Sequence, residues 1–191
     1  ELQALAALQP TPARLALLGS ASKRLALLQQ RAGHGAAAAQ TQQQVFAAYA
    51  QAEALAAAQG PVDVLLSLNR MAAELLLHRG AGEPHAFNAD AVAALRQRLA
   101  ERRAAAPDFF SEAAGIALTL LQALAGRCLA ASAATLHAQF VELHQRVDDA
   151  GRWRAVATQA TFVLEPYRAQ AAPAEKQAAD GLLNLLRDHA R

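Results

Sequence analysis

Leu136, Phe140, Leu143 and Val147 recur every three or four residues, and so do Phe109, Ala113, Ile116, Leu120 and Leu124. That spacing lines one face of a helix and leaves the polar positions on the other. A third stripe runs through Trp153, Val156, Ala160, Val163 and Tyr167. Few segments alternate apolar and polar residues as a half-buried strand requires. The pattern predicts an all-α chain.

Glycine and proline cut the pattern into eight or nine helical segments. A short apolar stretch, Leu2 to Leu8, stops at Pro10. Thr11 suits an N-cap and Pro12 the first helical position, so a long helix is expected to Arg31, ending at Gly33-His34-Gly35. The next is expected over Ala36–Gln59, before Gly60-Pro61, and another over Val62–Arg79, stopped by Gly80-Ala81-Gly82-Glu83-Pro84. Asn88 or Ala89 opens a helix to Ala105, before Pro107. Asp108–Ala130 follows, then a segment capped by Ser132 and ending at Gly151. Arg152 to about Gln170 contains Pro166, and Ala174–His189 closes the chain after Pro173. Helices of this length on short loops favour antiparallel neighbours. Two helices and a turn fill a unit near the roughly 34-residue tetratricopeptide period. The expected architecture is a set of tetratricopeptide-like antiparallel helix hairpins forming a short irregular solenoid, with a compact bundle as the alternative. No linker interrupts residues 1–191, which read as a single domain. The absence of Met before Glu1 reads as a piece of a longer effector protein.

Composition sharpens this picture. Ala and Leu dominate, and both lose little side-chain freedom in a helix. The formal charge is +2, and Lys occurs only at Lys23 and Lys176, so Arg carries the positive charge. Cys128 is the only cysteine, which excludes an intrachain disulfide and fits a cytoplasmic protein. Flanked by Leu124 and Leu129, it reads as a core thiol in mid-helix. No apolar run is long enough to span a membrane, so no membrane partner is expected.

No catalytic, nucleotide-loop or metalloprotease motif is present, so no catalytic residue, cofactor or metal site is assigned and the chain reads as a binding module, not an enzyme. His137, His144 and Asp148 share a helix face at ligand-like intervals, but that spacing matches no metal signature and also suits an amphipathic boundary. Arg96, Arg98, Arg102 and Arg103 form a basic run for phosphates. Glu101 interrupts it and no aromatic residue interleaves, which disfavours nucleic acid.

Three other clusters break the helical pattern in more specific ways. Gly19 and Ser20 sit in mid-helix, one turn before Lys23 and Arg24. A glycine there costs about 1 kcal/mol relative to Ala, so it points to a close approach by a ligand or another backbone. Asn69 and Arg70 interrupt an apolar helix, where an amide either faces a groove or satisfies neighbouring backbone. Arg152, Trp153 and Arg154 open a helix, where an anion is favoured and an indole can stack on a ring. The structural alternatives are a helix-crossing contact for Gly19, a satisfied core amide for Asn69 and an ordinary core aromatic for Trp153.

The run Arg14-Leu15-Ala16-Leu17-Leu18-Gly19-Ser20-Ala21-Ser22-Lys23-Arg24 resembles the RLxLLGSAxKR signature of the tetratricopeptide-repeat sensor (TPR-S) family. Leu65-Leu66-Ser67-Leu68-Asn69 resembles that family's YPxLN element, and Gly151 to Leu164 its YWRWATxAEAxLL helix. Val64 and Leu65 replace the aromatic–proline pair, and Val156 replaces the second Trp. The resemblance implies a regulatory module of bacterial conflict and immune systems, fused to an effector such as a caspase-like (CHAT) peptidase. It implies a nucleotide-derived signal as ligand, including one made from NAD by a TIR enzyme. A related region regulates animal stress-activated kinase kinase kinases. The expectation is a sensor: Lys23, Arg24 and Arg154 hold phosphates, Asn69 reads a base or ribose and Trp153 stacks, with Gly19, Ser20, Arg70 and Arg152 completing the ligand site. A tetratricopeptide-type protein scaffold and a nucleic-acid-binding helical domain are the alternatives.

Overall fold

The computed structural model describes residues 4, 8–78 and 84–191. Among these residues the chain is all-α: α1 Pro12–Arg31, α2 Gly35–Ala57, α3 Val64–Leu77, α4 Ala89–Ala105, α5 Phe109–Ala125, α6 Leu129–Arg146, α7 Ala150–Arg168 and α8 Pro173–His189. The Leu2–Leu8 stretch lies mostly outside the described residues, as does the Gly80–Glu83 part of the stop signal. The helices group into two compact units, Glu1–Gly80 and Ala81–Arg191.

In the first unit, Thr11 Oγ1 accepts the Arg14 N–H at 3.2 Å and Pro12 opens α1. Gly33, at φ +78°, supplies the left-handed residue that turns the chain into α2. Thr41 then pairs with Gln29 and Tyr49 with Ser20, so α1 and α2 run antiparallel. The buried face of α2 is mostly small, with Ala38, Ala48 and Ala52 beside Val45 and Tyr49. That lets the two helices approach closely. Asp63 caps α3, whose Ser67 donates to Glu53 of α2 at 2.6 Å. The core closes on Leu15, Ala26, Val45, Leu68, Met71 and Leu76.

In the second unit, α4 lies on α5, α6 on α5 and α8, and α7 on α8 and α5, so the hairpins α5–α6 and α7–α8 stack. Asp108 and Ser111 form a reciprocal capping box at the start of α5. The Arg103 guanidinium lies across Gly115, where a Cβ would overlap it. Phe140, Phe162, Leu136, Leu143 and Leu182 fill the centre.

One boundary differs from the sequence expectation. The helix expected over Asp108–Ala130 breaks after Ala125, and Arg127 adopts a left-handed φ of +53°. Cys128, not Ser132, is the N-cap residue of α6, and its thiol is exposed, not a core thiol. The physical reason is a cap from afar. Glu175 of α8 accepts the Leu129 and Ala130 N–H groups at 2.9 and 3.0 Å, and the Tyr167 hydroxyl donates to the same carboxylate. A carboxylate on these free donors does the work of a local cap and complements the helix dipole.

Candidate functional site

Lys23 and Asn69 come from segments 46 positions apart, and their side chains meet in the first unit. The Lys23 Nζ donates to Asn69 Oδ1 at 3.0 Å, and the other end of that amide donates to the Leu65 carbonyl at 2.8 Å. Asn69 is thus anchored at one helical turn and presents its oxygen to the ammonium. Lys23 is only 8% exposed, and among the described residues it is the one charged side chain in the core. Burial, and then the positive charge of Arg24, hold its pKa down to about 8. Arg24 itself is exposed. It lies about 100° further around α1 and points outward.

Gly19 has a packing reason. A Cβ there would sit 2.8 Å from Cζ of Tyr49, so the missing side chain is what admits that ring. The Tyr49 hydroxyl in turn bonds the Ser20 hydroxyl at 2.9 Å. Arg70 is held by Glu53 of α2 and by Glu74 one turn along α3. Its guanidinium ties the α2–α3 hairpin together.

Arg152, Trp153 and Arg154 belong to the second unit. Trp153 is fully buried, and its indole N–H donates to the Val147 carbonyl at 2.7 Å. Phe109, Phe140, His144 and His189 surround the ring, with centroids 4.8–6.3 Å away. A ring covered on every side has no face left for a ligand, so the expected stacking role is corrected to that of a core aromatic. The signal was present in the sequence, since Trp153 heads the apolar stripe of its helix. Arg152 and Arg154 flank it and are exposed, and Arg152 pairs with Asp149 at 3.5 Å.

Several of the other groups singled out from the sequence have local partners. His144 stacks on His189 with centroids 3.9 Å apart and lies 3.8 Å from Asp148, while His137 is exposed. On α4, Arg96 donates to Gln122 at 2.8 Å and Arg102 pairs with Asp108 at 3.2 Å. A groove of about 370 Å³ is lined by Arg96 with His85, Phe87, Val92, Gln122 and Ala125, and none of the residues expected to hold the nucleotide signal lines it. Sequence reading missed Tyr49 and Glu53, the two α2 side chains that organise the surroundings of Lys23 and Asn69. An aromatic and an acid in an otherwise Ala- and Gln-rich helix were the available signals. Comparison with known proteins returns no matching family model, no matching curated protein and no matching solved structure, so the chain's own residues carry the functional reading.

Proposed function

We propose that this chain is a non-enzymatic regulatory module whose first unit senses an anionic, nucleotide-derived small molecule and biases an attached effector. The observation that carries this reading is the meeting of Lys23 and Asn69. Two of the three segments that resemble the sensor family converge there, and they place a buried ammonium beside an anchored amide. A lysine already drawn down to about 8 is a standing cost to the fold. An incoming phosphate favours the charged form and recovers part of that cost, so ligand binding and the packing of α1 against α3 are coupled. Asn69 is the group that reads a base or ribose edge, and Arg24 adds attraction from the rim. An effector that prefers one packing of these helices then responds by population shift.

The test is a thermal-shift screen of NAD-derived and cyclic nucleotides. A ligand at about a hundredfold excess over its Kd stabilises the folded state by roughly 2.7 kcal/mol. Lys23→Met removes that shift and leaves the chain folded. A panel in which no nucleotide moves the wild-type transition, or a variant that keeps the full shift, overturns the proposal.

A further inference from the structure

Away from Lys23, the second unit carries a small polar groove between the end of α4, α5 and α6, with a volume of about 240 Å³. Pockets for drug-sized ligands begin at roughly 300 Å³, so this one suits something smaller than a nucleotide. Arg103 lines it, and Gly115 makes room for that side chain. A Cβ at Gly115 would lie 1.9 Å from the Arg103 Nη2. Gly115 sits inside α5, where glycine is a poor helix former, so the fold gives up helix propensity to seat the guanidinium. Arg103 donates to the Glu112 carbonyl at 3.3 Å, and among the described residues no carboxylate pairs with it. The Glu112 carboxylate is taken by Arg146. Gln139 lines the groove from α6, and its Oε1 is buried and accepts no hydrogen bond from the described residues. A buried acceptor without a donor calls for an explanation. Glu142 has a side chain 72% exposed and stands 3.9 Å from Arg146, beyond hydrogen-bond reach. Pro107 and Ile116 supply the apolar part of the lining.

We infer that this groove binds a free α-amino acid with an aliphatic side chain. Arg103 takes the carboxylate, Gln139 Oε1 and Glu142 take the ammonium, and Pro107 and Ile116 meet the side chain. Charge selects the zwitterion. Arg103 and Arg146 stand against Glu112 and Glu142, so the groove has no net charge with which to draw a phosphate. A bare carboxylate or phosphate brings no donor for the Gln139 oxygen, and a bare amine leaves Arg103 unmatched. A molecule carrying both groups on one carbon satisfies each of them.

The experiment is isothermal titration calorimetry of the whole chain with L-leucine, with 4-methylpentanoate, which lacks the ammonium, and with 3-methylbutylamine, which lacks the carboxylate. Leucine is expected to bind, and each analogue to bind at least tenfold more weakly, as the loss of a charge-assisted hydrogen bond demands. Arg103→Met weakens leucine by the same factor. Gly115→Ala does so as well by displacing the guanidinium, yet its melting temperature stays at or above that of the wild type, because Ala is the better helix former. Gln139→Leu removes the buried acceptor, so binding falls while the fold loses no hydrogen bond. No binding of leucine up to millimolar concentration overturns the inference. Equal binding of 4-methylpentanoate does so too, since it would mark a site for anions only. Full leucine affinity in the three variants overturns it by placing the amino acid elsewhere.

Discussion

Replacing Lys23 with Met separates the cost of a buried charge from its use. The fall from 10.5 to about 8 corresponds to roughly 3 kcal/mol favouring the neutral amine in the folded state. Met has similar length and carries no charge, so the variant escapes that cost. It also leaves the half-buried Asn69 oxygen without the ammonium, which costs about 1 kcal/mol. The net expectation is a gain of roughly 2 kcal/mol at pH 7, or several degrees in melting temperature. The direction with pH follows from linkage. Below about pH 8 the amine is charged in both states and the wild type bears the full cost. Between about 8 and 10.5 the unfolded chain holds the extra proton, so wild-type stability rises with pH. The advantage of the variant therefore shrinks over that window and is gone above it. Urea titrations of both proteins at pH 7, 9 and 10.5 measure the difference directly. A variant less stable than wild type by 2 kcal/mol or more at pH 7 would refute the reasoning, because it would make Lys23 a net structural asset. A gain that stays constant to pH 10.5 would refute it too.

Other substitutions probe the surroundings and the second unit. Gly19→Ala gains about 1 kcal/mol of helix propensity but drives a Cβ into the Tyr49 ring, so a net loss of about 1 kcal/mol is expected by chemical denaturation. In a Tyr49→Ala background the same change becomes stabilising, and a loss there would show that the ring is not the obstacle. Glu175→Ala strips the distant cap from α6 and the acceptor from Tyr167, for a loss of about 2 kcal/mol in calorimetry. A change within about 0.3 kcal/mol would dismiss the cap as incidental. His189 is held below its ordinary value by burial and then by the charge of His144, against the opposing pull of Asp188. Its neutral form is the one the fold prefers, so stability is lost as pH falls below about 6.5, the unfolded value. His189→Gln flattens that acid slope, and an unchanged slope would place the proton elsewhere.

The helices were legible because their signals are local. Thr11 with Pro12, Asn88 and Asp108 each announce a start within three residues of the bond they make, and the Leu136–Phe140–Leu143 stripe marks a buried face wherever it lies. The break at Cys128 was hidden for the opposite reason. Leu124 and Leu129 continue the apolar pattern across it, and the groups that stabilise it sit on α8, 45 and 46 residues away. No window along the chain contains both halves of that cap. Gly126 was the one local cue, and it is the C-cap residue of α5.

The candidate site divides along the same line. Periodicity reports which way a side chain faces, and it marked Trp153 correctly as a member of an apolar stripe. Chemical type alone suggested a stacking platform, and facing decides between the two. Lys23 reverses the case. Its charge argues for solvent, yet its position one turn from Gly19 and Ala26 places it on the buried face of α1, and there the fold accepts it. Asn69 follows the same logic, since its amide bonds the Leu65 carbonyl and the ammonium. A polar residue whose facing contradicts its chemistry is held there by a partner. In this chain the two strongest contradictions in the first unit are partners of one another. Arg24, next in sequence, faces outward in agreement with its chemistry. One turn of α1 therefore holds one cation inward, tied to the core amide, and turns the next one out to solvent.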